Sequence, residues 1–306
     1  ADYFRPNKLA LPISVYLMGP YLGAGLAMIA GAEVLDWSRD VEQVSVPIVG
    51  VVAPWQATFI AVGLPGVLIA GLLATIREPK RKGRQGAMTE VPGWRAVLLY
   101  MWQRKQVYAA LHLGVPFIVV MLYGLQGWTP TILLRVYGWD LADAGRIYGT
   151  LALVAGSAGV LSGPVLSRYL LGRGVPDAPL RVAVLGATMA TLSLATLPLQ
   201  SSGEMALVSI GCASFFVTLP LALITTVMQE VTPNNMRGVV NGMYVVTTNV
   251  LGLALGPTLV AASTDYIFQD TLAVAKSLAL VAVLVGPIAI YLLNQGRRSY
   301  IELGNV

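Results

Sequence analysis

Few residues of this sequence could carry out acid–base or metal chemistry. There is one cysteine, Cys212, and one histidine, His112, so neither a thiolate cage nor a two-histidine metal site can form. Carboxylates are almost absent from the long apolar stretches, so a nucleophile with its base cannot be assembled there either. We therefore predict that the protein is not an enzyme and that it uses no metal and no cofactor.

Uncharged polar side chains within the apolar stretches are better candidates for binding. Asn241, Tyr244 and Thr248 lie at positions i, i+3 and i+7, which places them on one face of a helix. Such a stripe can hydrogen-bond a polar group of a substrate in a water-filled cavity. Alternatively, each residue can hydrogen-bond a neighbouring helix, an interaction of modest energy. We interpret the stripe as a whole as the lining of a cavity.

Two ionisable residues lie at the ends of apolar stretches. His112 is a candidate for proton coupling, because a histidine titrates with an ordinary pKa of about 6.5. A hydrogen-bonded side chain near the membrane surface is the plainer explanation for it. Arg146 could hold an anionic substrate or pair with Asp143 or Asp140 as a gate, and a solvated arginine at the rim is the plainer explanation there.

The composition places these residues in a lipid environment. Hydrophobic residues make up 56% of the chain and charged residues 11%, against roughly 45–50% and about 25% in soluble domains. Apolar stretches of about 20 residues can cross a bilayer as helices. We therefore predict an all-α membrane protein, a polytopic helical bundle. The predicted membrane helices cover residues 10–31, 50–76, 107–126, 146–167, 181–199, 204–228, 238–262 and 272–294.

Basic residues accumulate on one side of the predicted bundle. Of the 20 lysines and arginines, 16 lie in the terminal segments and connections of one side, which we call the basic side. The positive-inside rule then predicts an integral, multi-pass protein with both ends of this chain in the cytoplasm. The opposite side, which we call the acidic side, holds most of the carboxylates. Because the basic residues are spread over separate connections, the net charge of +5 does not indicate a nucleic-acid partner.

The longest internal connection divides the chain. Residues 77–106 begin with a basic run broken by Pro79 and Gly83, which predicts a linker. Its second part carries apolar residues from Trp94 to Trp102 at helical spacing. This pattern predicts an amphipathic helix at the cytoplasmic membrane surface, or simply the first turns of the next membrane helix. We expect residues 1–76 to belong to one helix bundle and residues 107–306 to form a second bundle of six helices.

A weak internal repeat relates the first two membrane helices to the last two. Residues 8–23 and 237–252 are segments of equal length that begin with a basic residue and contain a tyrosine. The helix that follows each has a proline near its middle, Pro65 or Pro287. The repeat distance is six helices, and parallel six-helix repeats occur in transporters. On this interpretation four helices precede Ala1, and the N-terminal part of the protein is missing from this sequence.

Several short motifs resemble those of one transporter family in their order along the chain. They are Gly19-Pro20-x-x-Gly23, Trp55-Gln-Ala-Thr-Phe59, Trp128-Thr-Pro130, Gly163-Pro-x-x-Ser-Arg168, Pro233-x-x-x-Arg237-Gly238, Gly256-Pro257 and Thr264-Asp265-Tyr-x-Phe268. Together they resemble helices five to twelve of the twelve-helix major facilitator superfamily. The spinster-like branch and its bacterial relatives are the most similar. Ser167 stands where the family usually has an aspartate.

The resemblance implies a function and its partners. It implies a secondary active transporter in a bacterial inner membrane that works by alternating access, with two bundles rocking against each other. The substrate would be a small organic anion, a metabolite or an amphiphile, and the coupling ion a proton, as in a symporter. The alternatives are a lysolipid or sphingolipid exporter, a non-transporting membrane receptor and a pseudo-transporter fragment. The lipid bilayer is the remaining partner.

The resemblance also extends the set of candidate site residues. Because it places further polar residues in cavity-lining helices, the cavity candidates become Tyr16, Tyr123, Gln126, Asn241, Tyr244, Thr248 and Asn249. Glycine pairs at GxxxG spacing allow close helix contact and, beside prolines, bending. An arginine fork can bond the carbonyls at the end of a neighbouring helix. The gating candidates are Gly19, Pro20, Gly23, Arg146, Arg168, Arg237, Gly252, Gly256 and Pro257.

Overall fold

Eight long apolar helices dominate the computed structural model. It describes residues 10–75, except 39, 40, 42 and 48, and residues 93–304. All eight helices are long and apolar enough to cross a membrane, which confirms the predicted all-α membrane architecture. We number them spans 1 to 8. They are Ala10–Trp37, Pro54–Leu73, Lys105–Tyr137, Leu141–Gly172, Ala178–Leu199, Gly203–Val231, Arg237–Phe268 and Thr271–Leu303.

Two of the predicted features lie outside the described residues. They are the basic run at the start of the 77–106 connection and the segment at residues 1–9 that opens the repeat.

Several helices, spans 3 and 4 among them, extend well beyond the apolar stretches that predict them. Span 3 continues to Tyr137 and ends at Gly138, whose φ of 69° is the left-handed conformation that terminates helices. Span 4 begins directly afterwards, because the Asp140 side chain accepts hydrogen bonds from the backbone N–H groups of Ala142 and Asp143. Caps rather than hydropathy therefore set these helix boundaries.

A small hairpin separates spans 1 and 2. Strands β1 (Val44–Val46) and β2 (Gly50–Val52) pair antiparallel, with Val44 opposite Val52. The sequence predicts that the second helix begins at residue 50. This is wrong, because Gly50–Val52 forms a strand and the helix begins after it. Span 2 begins at Pro54, which suits the first turn of a helix, and the Gln56 side chain accepts a hydrogen bond from the Ala53 N–H at 2.9 Å.

A separate short helix, Trp94–Gln103, precedes span 3. The chain turns at Arg104, whose φ of −118° and ψ of 35° interrupt the helix. The short helix is attached to the bundle by its buried Val97 and by the Tyr100 hydroxyl, which donates to the Val231 carbonyl at 3.0 Å. We refer to it as the linker helix.

Spans 3 to 8 share one hydrophobic core. Span 8 packs along spans 3 and 5, and span 5 packs along span 6. Fully buried side chains such as Leu111, Met121, Leu125 and Leu278 fill the space between these helices. Span 1 packs mainly on span 4, and span 2 contacts span 1. The contact between spans 1 and 4 therefore joins the first part of the chain to the six-helix group.

Candidate functional site

Tyr21 of span 1 lies near one tyrosine from each of two other spans, beside the contact of spans 1 and 4. The phenol of Tyr21 on span 1 lies within electrostatic range of the phenols of Tyr123 on span 3 and Tyr244 on span 7. All three rings are half-buried against the shared core. The Tyr21 ring also packs on span 4 at Gly156. We call Tyr21, Tyr123 and Tyr244 the tyrosine group, and it can offer hydroxyl donors and acceptors to a polar ligand.

The predicted polar stripe on span 7 runs through the tyrosine group. Asn241, Tyr244 and Thr248 are half-buried, and the Thr248 hydroxyl, one turn beyond Tyr244, has no hydrogen-bond partner among the described residues. Asn249 is exposed, and its amide donates to the Val245 carbonyl of its own helix at 2.8 Å. The stripe and the tyrosine group therefore form one polar region, and Asn249 lies at its edge.

Two other cavity candidates lie in different surroundings. Gln126 is half-buried on span 3, one turn after Tyr123. Tyr16 is 80% exposed on span 1. Tyr21 follows five positions later, on another face of the same helix, and contacts the six-helix group. The structure thus brings together Tyr123, Tyr244 and the residue that sequence reasoning missed, Tyr21.

His112 lies at the contact between spans 3 and 7. It belongs to a π-helical turn, Ala110–Gly114, and is only 8% exposed. Its Nε2 atom is 3.4 Å from the Val240 carbonyl oxygen. Its ring packs nearly perpendicular to Tyr244 and against Tyr108, with centroid distances of 6.0 and 5.9 Å. Because π-helical turns are frequent at functional sites, the geometry suits either a proton carrier next to the tyrosine group or a packed interhelical side chain.

Spans 1 and 4 touch through two glycines. A Cβ atom added at Gly25 would lie 2.6 Å from the Gly149 carbonyl oxygen and 2.6 Å from the Leu153 Cβ. A Cβ atom added at Gly149 would lie 2.8 Å from the Gly25 carbonyl oxygen. The two backbones are therefore in direct contact, as small residues allow between membrane helices. We call this the Gly25–Gly149 contact.

The predicted glycine pairs differ in what they face. Gly252 and Gly256 on span 7 pack directly on span 3, where an added Cβ would meet Val119 or the Val120 carbonyl. At Gly19 and Gly23, an added Cβ would have no described atom within 4 Å. Both lie on span 1 with Pro20, and their gating role stays a prediction.

A hydrogen bond also fastens the Gly-Pro pair of span 7. The Trp128 Nε1 donates to the Pro257 carbonyl at 2.9 Å. This bond ties span 3 to span 7 at the predicted bend, where Pro257 itself has no backbone N–H to donate.

A cluster of ion pairs joins spans 1 and 4 at their acidic-side ends. The Arg146 guanidinium contacts Glu33 at 2.6 Å, Asp36 at 3.2 Å and Asp143 at 2.6 Å. Glu33 and Asp36 belong to span 1, whereas Arg146 and Asp143 belong to span 4. The four side chains are between 33% and 60% exposed, so water can replace these contacts at low cost. We call this group the Arg146 cluster.

An apolar pocket lies beside the Arg146 cluster. It has a volume of about 360 Å³ and opens between spans 1, 2, 3 and 4. Trp55 and Phe59 of span 2 form one wall, with their rings 6.3 Å apart in an edge-to-face arrangement. Met28, Leu35 and Leu141 contribute further apolar surface. The pocket combines an apolar interior with charged groups at its edge.

The two arginines predicted to act at helix ends differ in their contacts. Arg237 donates from Nε to the Thr232 carbonyl at 3.0 Å, at the end of span 6. Arg168 is exposed at the basic end of span 4, and its guanidinium forms no hydrogen bond or ion pair with the described residues. Arg237 thus makes a contact of the kind that the sequence suggests for Arg168, and a gating role stays a prediction for both arginines.

A buried carboxylate organises the basic side of the six-helix group. Asp177 lies between spans 4 and 5 and is 1% exposed. Its two oxygens accept hydrogen bonds from the Nε atoms of Arg181 and Arg297, each at 2.7 Å. Burial alone would raise the pKa of Asp177, but the hydrogen bonds and charges of Arg297 and Arg181 outweigh burial and lower this pKa below its ordinary value. The pairs connect this loop to span 8.

Replacing Asp177 by asparagine is expected to destabilise the protein by roughly 1–3 kcal/mol, since it leaves two arginines without their shared carboxylate. The wild-type contribution is present above the unfolded carboxyl pKa of about 3.9 and is lost as the pH falls through the lower folded pKa. Thermal unfolding between neutral and strongly acidic pH should therefore show a gap between wild type and Asp177→Asn that closes at low pH. The matched control is Asp265→Asn, which removes an exposed carboxylate on the acidic side. A constant gap, or none, would contradict this role.

Comparisons with known proteins identify the family. Residues 1–257 match the Major Facilitator Superfamily. Protein spinster homolog 3 of Danio rerio is 24% identical over 281 residues, which cover 86% of this chain and 53% of that protein. An MFS-type efflux pump of Mycolicibacterium smegmatis is 26% identical over 314 residues, which cover 99% of this chain and 67% of the pump. The chain thus spans about half the length of the first relative and two thirds of the second.

Solved structures share the fold. A bacterial homolog to the human lysosomal transporter Spinster, in an inward-facing and unoccupied conformation, superposes with a TM-score of 0.68 at 20% identity. That match covers 99% of this chain and 74% of the other. The fucose:proton symporter of E. coli superposes with a TM-score of 0.51 at 14% identity, covering 78% of this chain and 55% of the symporter.

The described residues form a polytopic bundle of apolar spans joined through glycine contacts and solvated ion pairs. The chain belongs to the Major Facilitator Superfamily, since the family match covers residues 1–257 of its 306. The predicted resemblance to the superfamily and to its spinster-like branch is therefore confirmed. This superfamily is one of membrane transporters and not of enzymes, which agrees with the prediction from the sequence.

Proposed function

We propose that the protein is a secondary active transporter that works by alternating access on a small organic anion, a metabolite or an amphiphile. The observation that carries this proposal is the junction of spans 1 and 4. It combines a direct backbone contact at Gly25 and Gly149 with the solvated Arg146 cluster at one end. A packed pivot and breakable charges suit two bundles that rock against each other.

The tyrosine group and the span 7 stripe are the proposed substrate site. They bring uncharged hydroxyl and amide groups from spans 1, 3 and 7 into one half-buried region. Such groups fix the orientation of a ligand's polar part, while the surrounding apolar side chains cover the rest. The apolar pocket beside the Arg146 cluster supports an amphiphile among the substrate classes.

The conformation is proposed to be closed on the acidic side. The Arg146 cluster holds the acidic-side ends of spans 1 and 4 together. If the basic side is cytoplasmic, as the positive-inside rule predicts, this arrangement corresponds to an inward-facing state. That agrees with the name of the bacterial Spinster homolog structure. A bacterial inner membrane is the proposed location.

Protons are the proposed coupling ion, and His112 is the proposed carrier. Its ring contacts Tyr244 of the tyrosine group, so a change in its charge would act directly beside the substrate site. The name of the fucose:proton symporter, which shares the fold, supports the same kind of coupling. The alternative is that His112 only packs spans 3 and 7 together.

The test is flux into proteoliposomes under an imposed pH gradient. The panel contains radiolabelled organic anions, sugars and a lysophospholipid, each measured with and without an acidic outside medium. We expect accumulation of at least one compound to accelerate with the gradient. In His112→Gln the gradient-driven rate should fall to the rate without a gradient, because glutamine cannot carry the proton, while counterflow exchange persists.

Other outcomes of this experiment separate the remaining hypotheses. Loss of gradient-driven uptake and exchange together in His112→Gln would contradict coupling and favour a packing role. Thermal stabilisation by a compound that is never transported would favour a membrane receptor or a pseudo-transporter. Selective movement of the lysophospholipid would identify an exporter of lysolipids.

A further inference from the structure

The linker helix, Trp94–Gln103, has two faces with different surroundings. One face is fixed to the six-helix group: Val97 is fully buried, and the Tyr100 hydroxyl donates to the Val231 carbonyl. The Tyr100 ring also packs edge-to-face on Tyr108 of span 3, with centroids 6.2 Å apart. Because these contacts hold the helix in one rotation, the direction in which its other face points is defined.

The opposite face is a stripe of large apolar side chains. Trp94 and Trp102 are 65% and 72% exposed, and Leu98 between them is 39% exposed. These residues lie at i, i+4 and i+8, so they follow one line along the helix. We call them the Trp94 stripe. Tryptophan is favoured at membrane–water interfaces, where one part of the ring meets hydrocarbon and the N–H meets water.

Two cations flank the Trp94 stripe. The Arg95 guanidinium carbon lies 5.4 Å from the centre of the Trp94 ring, and the Lys105 Nζ lies 5.8 Å from the centre of the Trp102 ring. Neither cation forms an ion pair with the residues that the structure describes. The sequence contains no aspartate or glutamate from residue 93 to residue 116. Among the described residues, no acidic side chain pairs with either of the two cations beside the exposed indoles.

The Trp94 stripe lies directly before a membrane-crossing helix, and this position indicates that the bilayer surface covers it. Span 3 begins at Lys105, directly after the turn at Arg104. A helix that ends one residue before a membrane-crossing segment lies at the height of the lipid head groups, so its free face meets the bilayer surface. Arg104 itself stacks on Tyr100 at 4.0 Å, on the side of the protein. Arg104 therefore does not face the bilayer together with Arg95 and Lys105.

We propose that the Trp94 stripe is a binding surface for anionic phospholipid, with Arg95 and Lys105 contacting the phosphate and the indoles seated among the head groups. The inference goes beyond the transport function and rests only on the membrane placement of span 3. Basic residues next to a bilayer gain energy from anionic lipids, and the apolar stripe supplies the area that anchors an interfacial helix.

The test uses the full protein reconstituted in phosphatidylcholine bilayers. A fixed fraction of the lipid is replaced by dibrominated phosphatidylglycerol or dibrominated phosphatidylcholine, and quenching of tryptophan fluorescence is measured. Each basic residue near an anionic surface is worth a preference of about fivefold. We therefore expect brominated phosphatidylglycerol to quench at lower mole fraction than brominated phosphatidylcholine. The double variant Arg95→Gln/Lys105→Gln should bring the two curves together.

Two control variants test whether the excess quenching by phosphatidylglycerol arises at the Trp94 stripe. Trp94→Phe/Trp102→Phe should remove the excess quenching, because those two indoles report on the stripe. Arg135→Gln/Lys276→Gln removes two exposed cations from the acidic-side ends of spans 3 and 8 and should keep the excess. Equal quenching by the two lipids in the wild type would overturn the proposal. So would an excess that survives the Arg95→Gln/Lys105→Gln change or the Trp94→Phe/Trp102→Phe change.

Discussion

Replacing Gly149 by valine is expected to reduce substrate flux by about tenfold or more, since overpacking a close contact costs roughly 1–3 kcal/mol. A Cβ atom at this position would lie 2.9 Å from Ile29 Cγ1 and 3.0 Å from Met28 Cβ, as well as near the Gly25 carbonyl. Valine adds two further methyl groups, so span 1 must move away from span 4. The pivot on which the proposed rocking depends would then be lost.

Initial uptake rates at matched reconstitution levels measure this effect, and thermal unfolding shows whether the bundle stays folded. Gly25→Val, on the other side of the contact, should have a similar effect. Gly172→Val is the matched control on span 4, because no described atom lies within 4 Å of the position its Cβ would occupy. A Gly149→Val protein that transports like Gly172→Val would rule out the pivot.

The membrane architecture could be predicted from the sequence because lipid leaves the backbone few choices. Polar backbone groups in a bilayer must be satisfied internally, so each long apolar stretch becomes a helix. The helix ends could not be predicted in the same way. Gly138 and Asp140 terminate and initiate neighbouring helices through backbone conformation and a cap. These caps lie in segments whose hydropathy predicts a loop.

Spacing predicted close glycine contacts but not which glycines form them. Gly252 and Gly256 pack on span 3, whereas Gly19 and Gly23, at the same spacing, have no described neighbour within 4 Å. The GxxxG pattern shows that a helix face allows close approach of another backbone. Whether a close contact forms depends on which helix lies next to that face. The Gly25–Gly149 contact shows the pattern on span 4 only, where Gly145 and Gly149 lie four residues apart and both face span 1.

The polar site was also predicted only in part, because the sequence does not show which face of span 1 contacts the other helices. The stripe of span 7 is visible as a helical period, and the structure places Tyr244 at the proposed site. Tyr21 was missed because the repeat in the sequence drew attention to Tyr16, which lies on another face of span 1. Asp177 was missed because a carboxylate in a basic connection resembles a solvated charge. Its burial depends on Arg297, which lies at the far end of the chain.

The Arg146 cluster shows how a helix end changes the interpretation of charged residues. Glu33 and Asp36 lie beyond the apolar stretch that predicts the first helix, so the sequence assigns them to a connection. In the structure span 1 continues to Trp37. The two carboxylates therefore lie about one turn apart and face Arg146 together. The sequence predicted a partner for Arg146 only within its own helix, and the contacts to span 1 give it a role between helices.

Reversing the charge of Arg146 is expected to separate the acidic-side ends of spans 1 and 4. Arg146→Glu places a fourth carboxylate among Glu33, Asp36 and Asp143, so three attractive contacts become repulsive. The closed arrangement on this side should lose population, and uptake should fall severalfold because the cycle lacks one of its stable states. Raising the salt concentration should weaken the effect, since these side chains are solvated.

Electron–electron distance measurements between spin labels test this separation directly. Labels at Trp37 and Leu141, both exposed at the relevant helix ends, require a background in which the exposed Cys212 is replaced by serine. Arg146→Glu should shift the distance distribution to longer values. Arg135→Glu, an exposed arginine at the same side of span 3, should not. The exchange Glu33→Arg/Arg146→Glu should restore part of the short-distance population, because it re-creates one ion pair across the junction. A distribution that is unchanged in Arg146→Glu would show that the cluster does not hold the two spans together.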